Sequence, residues 1–211
     1  MMYLSQLWLN HRAQKVVSDL NDPYQMHRTV MRGFPDEMPE SERVLFRLEI
    51  ENRPPRVMLL VQSHTPPDWN GLAGEGYLLR PAAVKTFSPA FETGQVFDFR
   101  LFANPTKRLH GDGEKTGPSV GLFREEDQLA WLARKADENG FQVLAVQTTH
   151  LAQPDGWKED EKGKHRIRQQ AVCFDGRLRV ADPEVFSRAF SLGIGSGKGF
   201  GFGLLSLARA I

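Results

Sequence analysis

Apolar and polar positions alternate most clearly in "QVFDFRLFA", residues 95–103, where Phe97, Phe99 and Leu101 interleave with Val96, Asp98 and Arg100. A period of two predicts a strand with one apolar face. Partial alternation in "YLSQLWL", residues 3–9, predicts another, followed by a helical stretch from His11 to Leu20. Asp22 then offers an N-cap and Pro23 the first helical position, so a fresh helix is expected to run to Gly33. "RVLFRLEI" (43–50) and "RVMLLVQS" (56–63) flank "ENRPP" and read as a hairpin. A weak helix around residues 70–79 precedes the strand at 95–103.

The order is repeated further along. "PSVGLF" reads as a strand, and "REEDQLAWLARKADENG" is the strongest helix, with Leu129, Leu132 and Ala136 on one stripe and Gly140 ending it. "FQVLAVQTT" and "HRIRQQAVCFDGRLRV" follow as strands. Asp182 and Pro183 open the helix "DPEVFSRAFSLG", and "FGFGLLSLA" closes as an apolar strand. The expected fold is therefore α+β, two tandem ferredoxin-like (βαββαβ) domains, residues 1–115 and 116–211. The halves share no obvious sequence identity, so the repeat rests on element order.

Composition narrows the chemistry. With 211 residues and 40% hydrophobic content, the chain can bury two small cores, and a net charge of +1 leaves no global field to attract polyanions. Any nucleic-acid site must come from local clusters of cations. Cys173 is the single cysteine, within an apolar run, so neither a disulfide framework nor a cysteine zinc site is available. "MMYLSQLWLN" has no basic leader and no window approaches a membrane span, so a cytoplasmic protein without membrane contact is expected.

The glycine-rich "GIGSGKGFGFG", residues 193–203, is not a P-loop: Gly193 to Gly197 is one residue short, and Gly199 stands where a hydroxyl residue is needed. It is either a flexible turn or a backbone cradle for a phosphate, with Lys198 adding charge. In "RLFANPTKR" a strand stops at Asn104-Pro105 and presents Lys107 and Arg108, which fits either phosphate contacts or a solvated loop. In "KEDEKGKHRIRQQ" the acids come first and the bases after Gly163. On a strand Lys164, Arg166 and Arg168 would form a row at a pitch of about 6.6–6.8 Å, close to a phosphate repeat in RNA. A charged edge that guards against aggregation has the same look. The six histidines form no HExxH or HxH pattern and no G-x-S-x-G occurs, so no metal site and no serine hydrolase are expected.

On the helix opened by Asp22, Met26 and Val30 define the buried side, while Tyr24, Arg28 and Met31 lie opposite. His27 falls on the flank, about 60° from both Val30 and Tyr24. A half-buried flank suits a general acid or base, since imidazole exchanges protons near neutral pH. Tyr24 could orient a phosphate or the imidazole, and Arg28 could bind a neighbouring phosphate. A purely structural histidine would read the same way.

Taken together, "DPYQMHRTVMRGFP", "FRLFANPTKR" and "GIGSGKGFGFGLL" resemble the CasE-type CRISPR RNA endoribonucleases of the RAMP superfamily, the pre-crRNA-processing subunit of type I-E Cascade. Their order and spacing cover nearly the whole chain. The resemblance implies metal- and cofactor-independent cleavage of CRISPR repeat RNA at the 3′ base of its stem-loop. The ribose 2′-hydroxyl attacks the adjacent phosphate, and the mature crRNA is retained among other Cascade subunits. It also implies His27 and Tyr24 as the catalytic pair. Arg28, Arg32, Lys107, Arg108, Lys164, Arg166, Arg168 and Lys198 are the expected RNA-binding cations. The competing expectation is a noncatalytic RNA-binding RAMP subunit that scaffolds a ribonucleoprotein.

Overall fold

Two four-stranded antiparallel sheets organise the chain, each in ferredoxin-like strand order. The computed structural model describes residues 1–39, 41–52, 54–109, 117–151, 156–160, 163–167 and 170–210, with Asn52, 156–160 and 163–167 at the level of the backbone. The elements fall into two compact units, one of Met1–Pro89 with Pro154–Arg168 and Lys198–Leu204, the other of Ala90–Gln153, Gln169–Gly197 and Leu205–Ile211.

In the first unit β1 (Met2–Trp8) leads through α1 (Gln14–Leu20) and α2 (Pro23–Met31) to the hairpin β2 (Leu45–Asn52) and β3 (Pro55–Ser63), then α3 (Asn70–Gly74) and β4 (Ala83–Phe87). The strands lie in the order β2-β3-β1-β4. The helix that starts at Pro23 forms as its sequence dictates: the Asp22 carboxylate accepts from the backbone N–H groups of Tyr24 and Gln25 at 2.9 and 3.4 Å. It satisfies two donors that every helix start leaves open. Met26 and Val30 of α2 enter the core with Leu7, Leu59, Val61 and Trp69.

In the second unit β5 (Val96–Ala103) is followed by the short hairpin β6 (Thr106–Arg108) and β7 (Ser119–Gly121), then α4 (Glu125–Glu138) and β8 (Phe141–His150). The hairpin β9 (Gly156–Asp160) and β10 (Gly163–Ile167), which belongs to the first unit, intervenes before β11 (Val172–Val180), α5 (Pro183–Leu192) and β12 (Leu205–Arg209). The second sheet runs β12-β5-β11-β8. Its core includes Phe186 in edge contact with Phe91 and Phe141, and Trp131 stacked on Phe174 at 6.1 Å.

Strand β5 corrects the expected boundary. The sequence places it at the end of a 1–115 domain, whereas it pairs with β11 and β12 and is the first strand of the second unit. Two exposed ion pairs accompany this register. Asp98 faces Arg177 and Arg100 faces Asp175 across the β5–β11 ladder, forming pairs at 2.7 and 2.6 Å. The place left in the first sheet is taken by β4, which alternation could not reveal because four of its five residues are exposed on an edge. "PSVGLF" forms only the three-residue β7, "HRIRQQAVCF" is two strands rather than one, and the last strand begins at Leu205 instead of Phe200.

Candidate active site

The side of α2 that carries His27 is fixed from beneath by a buried carboxylate. Asp19, at the end of α1, is 1% exposed and accepts from the Thr29 hydroxyl at 2.7 Å, the Tyr77 hydroxyl at 2.9 Å and the Lys15 ammonium at 2.6 Å. Thr29 lies two residues beyond His27, so this hub sets the rotation of the helix. Burial and the neighbouring Asp19 charge push the Tyr77 phenol far up, which keeps it a neutral donor.

Above the hub the imidazole of His27 is half-buried and stacks on Phe46 of β2, with centroids 6.3 Å apart and planes 21° from parallel. Its Nδ1 is shielded from solvent and has no hydrogen-bond partner among the described residues. The glycine-rich segment closes over it as the 3₁₀ turn Lys198–Phe200, where a Cβ on Gly199 would lie 3.8 Å from Nδ1 and Cε1. Two residues on, Gly201 takes φ +88°, and a Cβ there would come within 3.2 Å of the Phe46 ring. Only glycine holds that conformation without strain. The exit of the segment is tied by Arg47, whose guanidinium pairs with Glu49 at 2.8 Å and donates to the Leu204 carbonyl at 3.4 Å.

Burial lowers the His27 pKa from its ordinary 6.5, because the charged imidazolium is desolvated. The unfolded chain therefore takes up this proton at higher pH than the folded one. The stability associated with neutral His27 is fully present above 6.5 and is lost as pH falls through the folded value. From about pH 7.5 to about pH 5, wild type should lose more melting temperature than His27→Gln, which carries no titrating ring. Parallel melting curves across that range would contradict the assignment.

Around the imidazole, Tyr24 is 39% exposed, and helical spacing puts it one turn before His27, with Cβ atoms about 5–6 Å apart. Arg28 is exposed on the same helix. Arg32 is already engaged, its guanidinium forming a two-pronged pair with Glu75. Lys198 is half-buried at the start of the turn over His27. Strand β9 packs beside α2, and on its partner β10 Lys164 stands opposite Glu159 and Arg166 opposite Trp157. Arg168 lies outside the described residues. Lys107 and Arg108 are exposed on β6 of the second unit.

Two residues of the site were not foreseen. Phe46 carried no signal beyond being apolar. Arg47 did carry one: a cation inside the apolar run "VLFRLEI" needs a buried partner.

The CRISPR-associated protein family matches residues 2–209. The chain belongs to that family. Among its relatives, the CRISPR-associated endoribonuclease Cse3 of Thermus thermophilus is 39% identical, over 98% of this chain and 100% of the relative. The CRISPR system Cascade subunit CasE of Escherichia coli K12 is 32% identical, over 89% and 92%. The structure of Thermus thermophilus Cse3 bound to an RNA representing a pre-cleavage complex superposes with a TM-score of 0.81 at 39% identity, covering 99% of each chain. In this CRISPR-associated chain the histidine helix, its glycine cover and the ring beneath it all fall inside the matched region.

Proposed function

We infer that this protein is a metal-independent endoribonuclease that cuts CRISPR repeat precursor RNA at the 3′ base of its stem-loop and keeps the crRNA product within a Cascade-type assembly in the cytoplasm. The observation that carries the reading is His27: a half-buried, neutral imidazole with one nitrogen closed off by the Lys198–Phe200 turn. The sequence similarity to an endoribonuclease and to a Cascade subunit supports it.

RNA brings its own nucleophile, so the protein needs to supply proton transfer, charge stabilisation and in-line geometry. The 2′-hydroxyl oxygen bonds to the adjacent phosphorus and gives up its proton, and the P–O5′ bond breaks. The products are a 2′,3′-cyclic phosphate and a 5′-hydroxyl that has gained a proton. With Nδ1 shielded, Nε2 of His27 is the nitrogen that exchanges protons with the RNA. Tyr24 orients the phosphate or the imidazole, and Arg28 and Lys198 offer positive charge on either side of it. Lys107, Arg108, Lys164, Arg166 and Arg168 are the further cations offered to the phosphates of the RNA, whose A-form stem is read largely by shape and backbone. Arg32 joins them only by sharing its guanidinium with Glu75.

The test uses a cognate repeat RNA in EDTA, with and without deoxyribose at the scissile nucleotide. The all-ribose RNA should be cut, and the deoxy RNA should be bound with similar affinity and left intact. Binding without cutting of the all-ribose RNA would favour the scaffold subunit instead.

A further inference from the structure

One face of the β6–β7 hairpin in the second unit has features that proton transfer at His27 does not use. Phe123, just beyond β7, is 73% exposed. A Cβ on Gly121 would lie 3.2 Å from the Gln170 Cβ and 3.8 and 3.9 Å from the Phe123 Cε2 and Cζ, so the tip of the ring reaches back over that glycine. Gly121 pairs with Thr106, and Ser119 with Arg108. Alternation therefore puts Thr106, Arg108 and the Phe123 ring on one face of the hairpin, with Lys107 on the other. Arg108, opposite Ser119, is one two-residue repeat from Gly121, where the tip of the ring lies, about 6.6–6.8 Å along the strand.

Thr106 also lines a groove of about 370 Å³ with Trp131, Arg134, Lys135, Glu138 and Ser196. A volume of that order is at the lower end of the range of small-ligand sites, about 300–1,000 Å³. Glu138 holds Lys135 at 2.5 Å and Arg134 more loosely at 3.7 Å, so two cations face one carboxylate and the groove keeps an excess of positive charge. Along this face the order is cation, exposed aromatic ring, hydroxyl, then a groove with a second hydroxyl and a second cation. That sequence matches a single strand of RNA, whose base stacks on a ring while the phosphates on either side meet cations. The interior of a duplex cannot use it, because its bases are already stacked on each other.

We propose that this face binds unpaired nucleotides flanking the repeat stem-loop, with one base on Phe123 and the adjoining phosphates on Arg108 and Arg134. The proposal rests on the RNA-processing reading above and adds the part of the substrate that the second unit holds.

The test compares two repeat RNAs, each with deoxyribose at the scissile nucleotide: a bare hairpin, and the same hairpin with single-stranded flanks carrying 2-aminopurine. Phe123→Ala should weaken the flanked RNA about 5- to 150-fold, the loss of one base stack, and leave the bare hairpin unchanged. Phe123→Trp should retain the affinity, and 2-aminopurine fluorescence should be quenched by wild type and not by Phe123→Ala. The ring is exposed, so neither substitution endangers folding. Unchanged affinity for the flanked RNA in Phe123→Ala would overturn the proposal while leaving the nuclease reading intact. Equal weakening of both RNAs would overturn it as well. If wild type bound neither RNA, the RNA-processing reading would fall and take this one with it.

Discussion

His27→Ala is expected to slow cleavage of a repeat RNA under single-turnover conditions by about 10²- to 10⁴-fold, the usual contribution of a well-placed proton-transfer group. Affinity for the same RNA should change little. The imidazole is half-buried and its stacking partner Phe46 stays in place, so the substitution removes the proton carrier and leaves the helix that bears it. The Asp22 cap, the Asp19 hub and the Met26 and Val30 packing do not involve the ring. A wild-type cleavage rate in His27→Ala would remove the central residue of the mechanism.

Asp19→Ala should have the largest effect on stability. Removing the carboxylate leaves the Thr29 and Tyr77 hydroxyls without their acceptor inside the core and the Lys15 ammonium without its partner. Each buried hydroxyl left without an acceptor costs about 1–3 kcal/mol. Lys15 is half exposed at the side chain and can return to water, so the cost arises chiefly from the two stranded hydroxyls and the collapsed space. Chemical denaturation should show the midpoint falling with an unchanged slope. Asp19→Asn, which keeps one acceptor oxygen, should lose less. Cleavage below the new melting temperature should also slow, because Thr29 then no longer fixes the rotation of α2 beneath His27. A midpoint within error of wild type for Asp19→Ala would show that the hub holds nothing together.

The elements with strong local signals were legible in the sequence. The Asp22-Pro23 and Asp182-Pro183 starts both cap their helices as expected, since capping is decided by the residues at the start alone. The face of α2 was legible as well: Met26 and Val30 are buried, Tyr24 and Arg28 exposed, and His27 between them. Partnership was not legible. Alternation in β5 reports that it is a strand with one apolar face, and says nothing about which sheet it joins. That depends on contacts with segments far along the chain, as in the pairing of β5 with β11 and β12. For the same reason Phe46 stayed hidden, because the neighbour that gives it meaning, Gly201, is on another part of the chain. The glycine-rich segment could be singled out by composition, but its place over His27 could not.

That placement has a bearing on how the protein comes to be active. The helix with His27 is made before Gly199 and Gly201, which follow most of the second unit in the chain. Contacts between such distant positions close large loops and form late in folding. A nascent chain would therefore present the histidine helix before its cover, with the imidazole more open to water. The covered imidazole is assembled only once Lys198–Leu204 has joined the first unit, so its shielded state reports on completed folding.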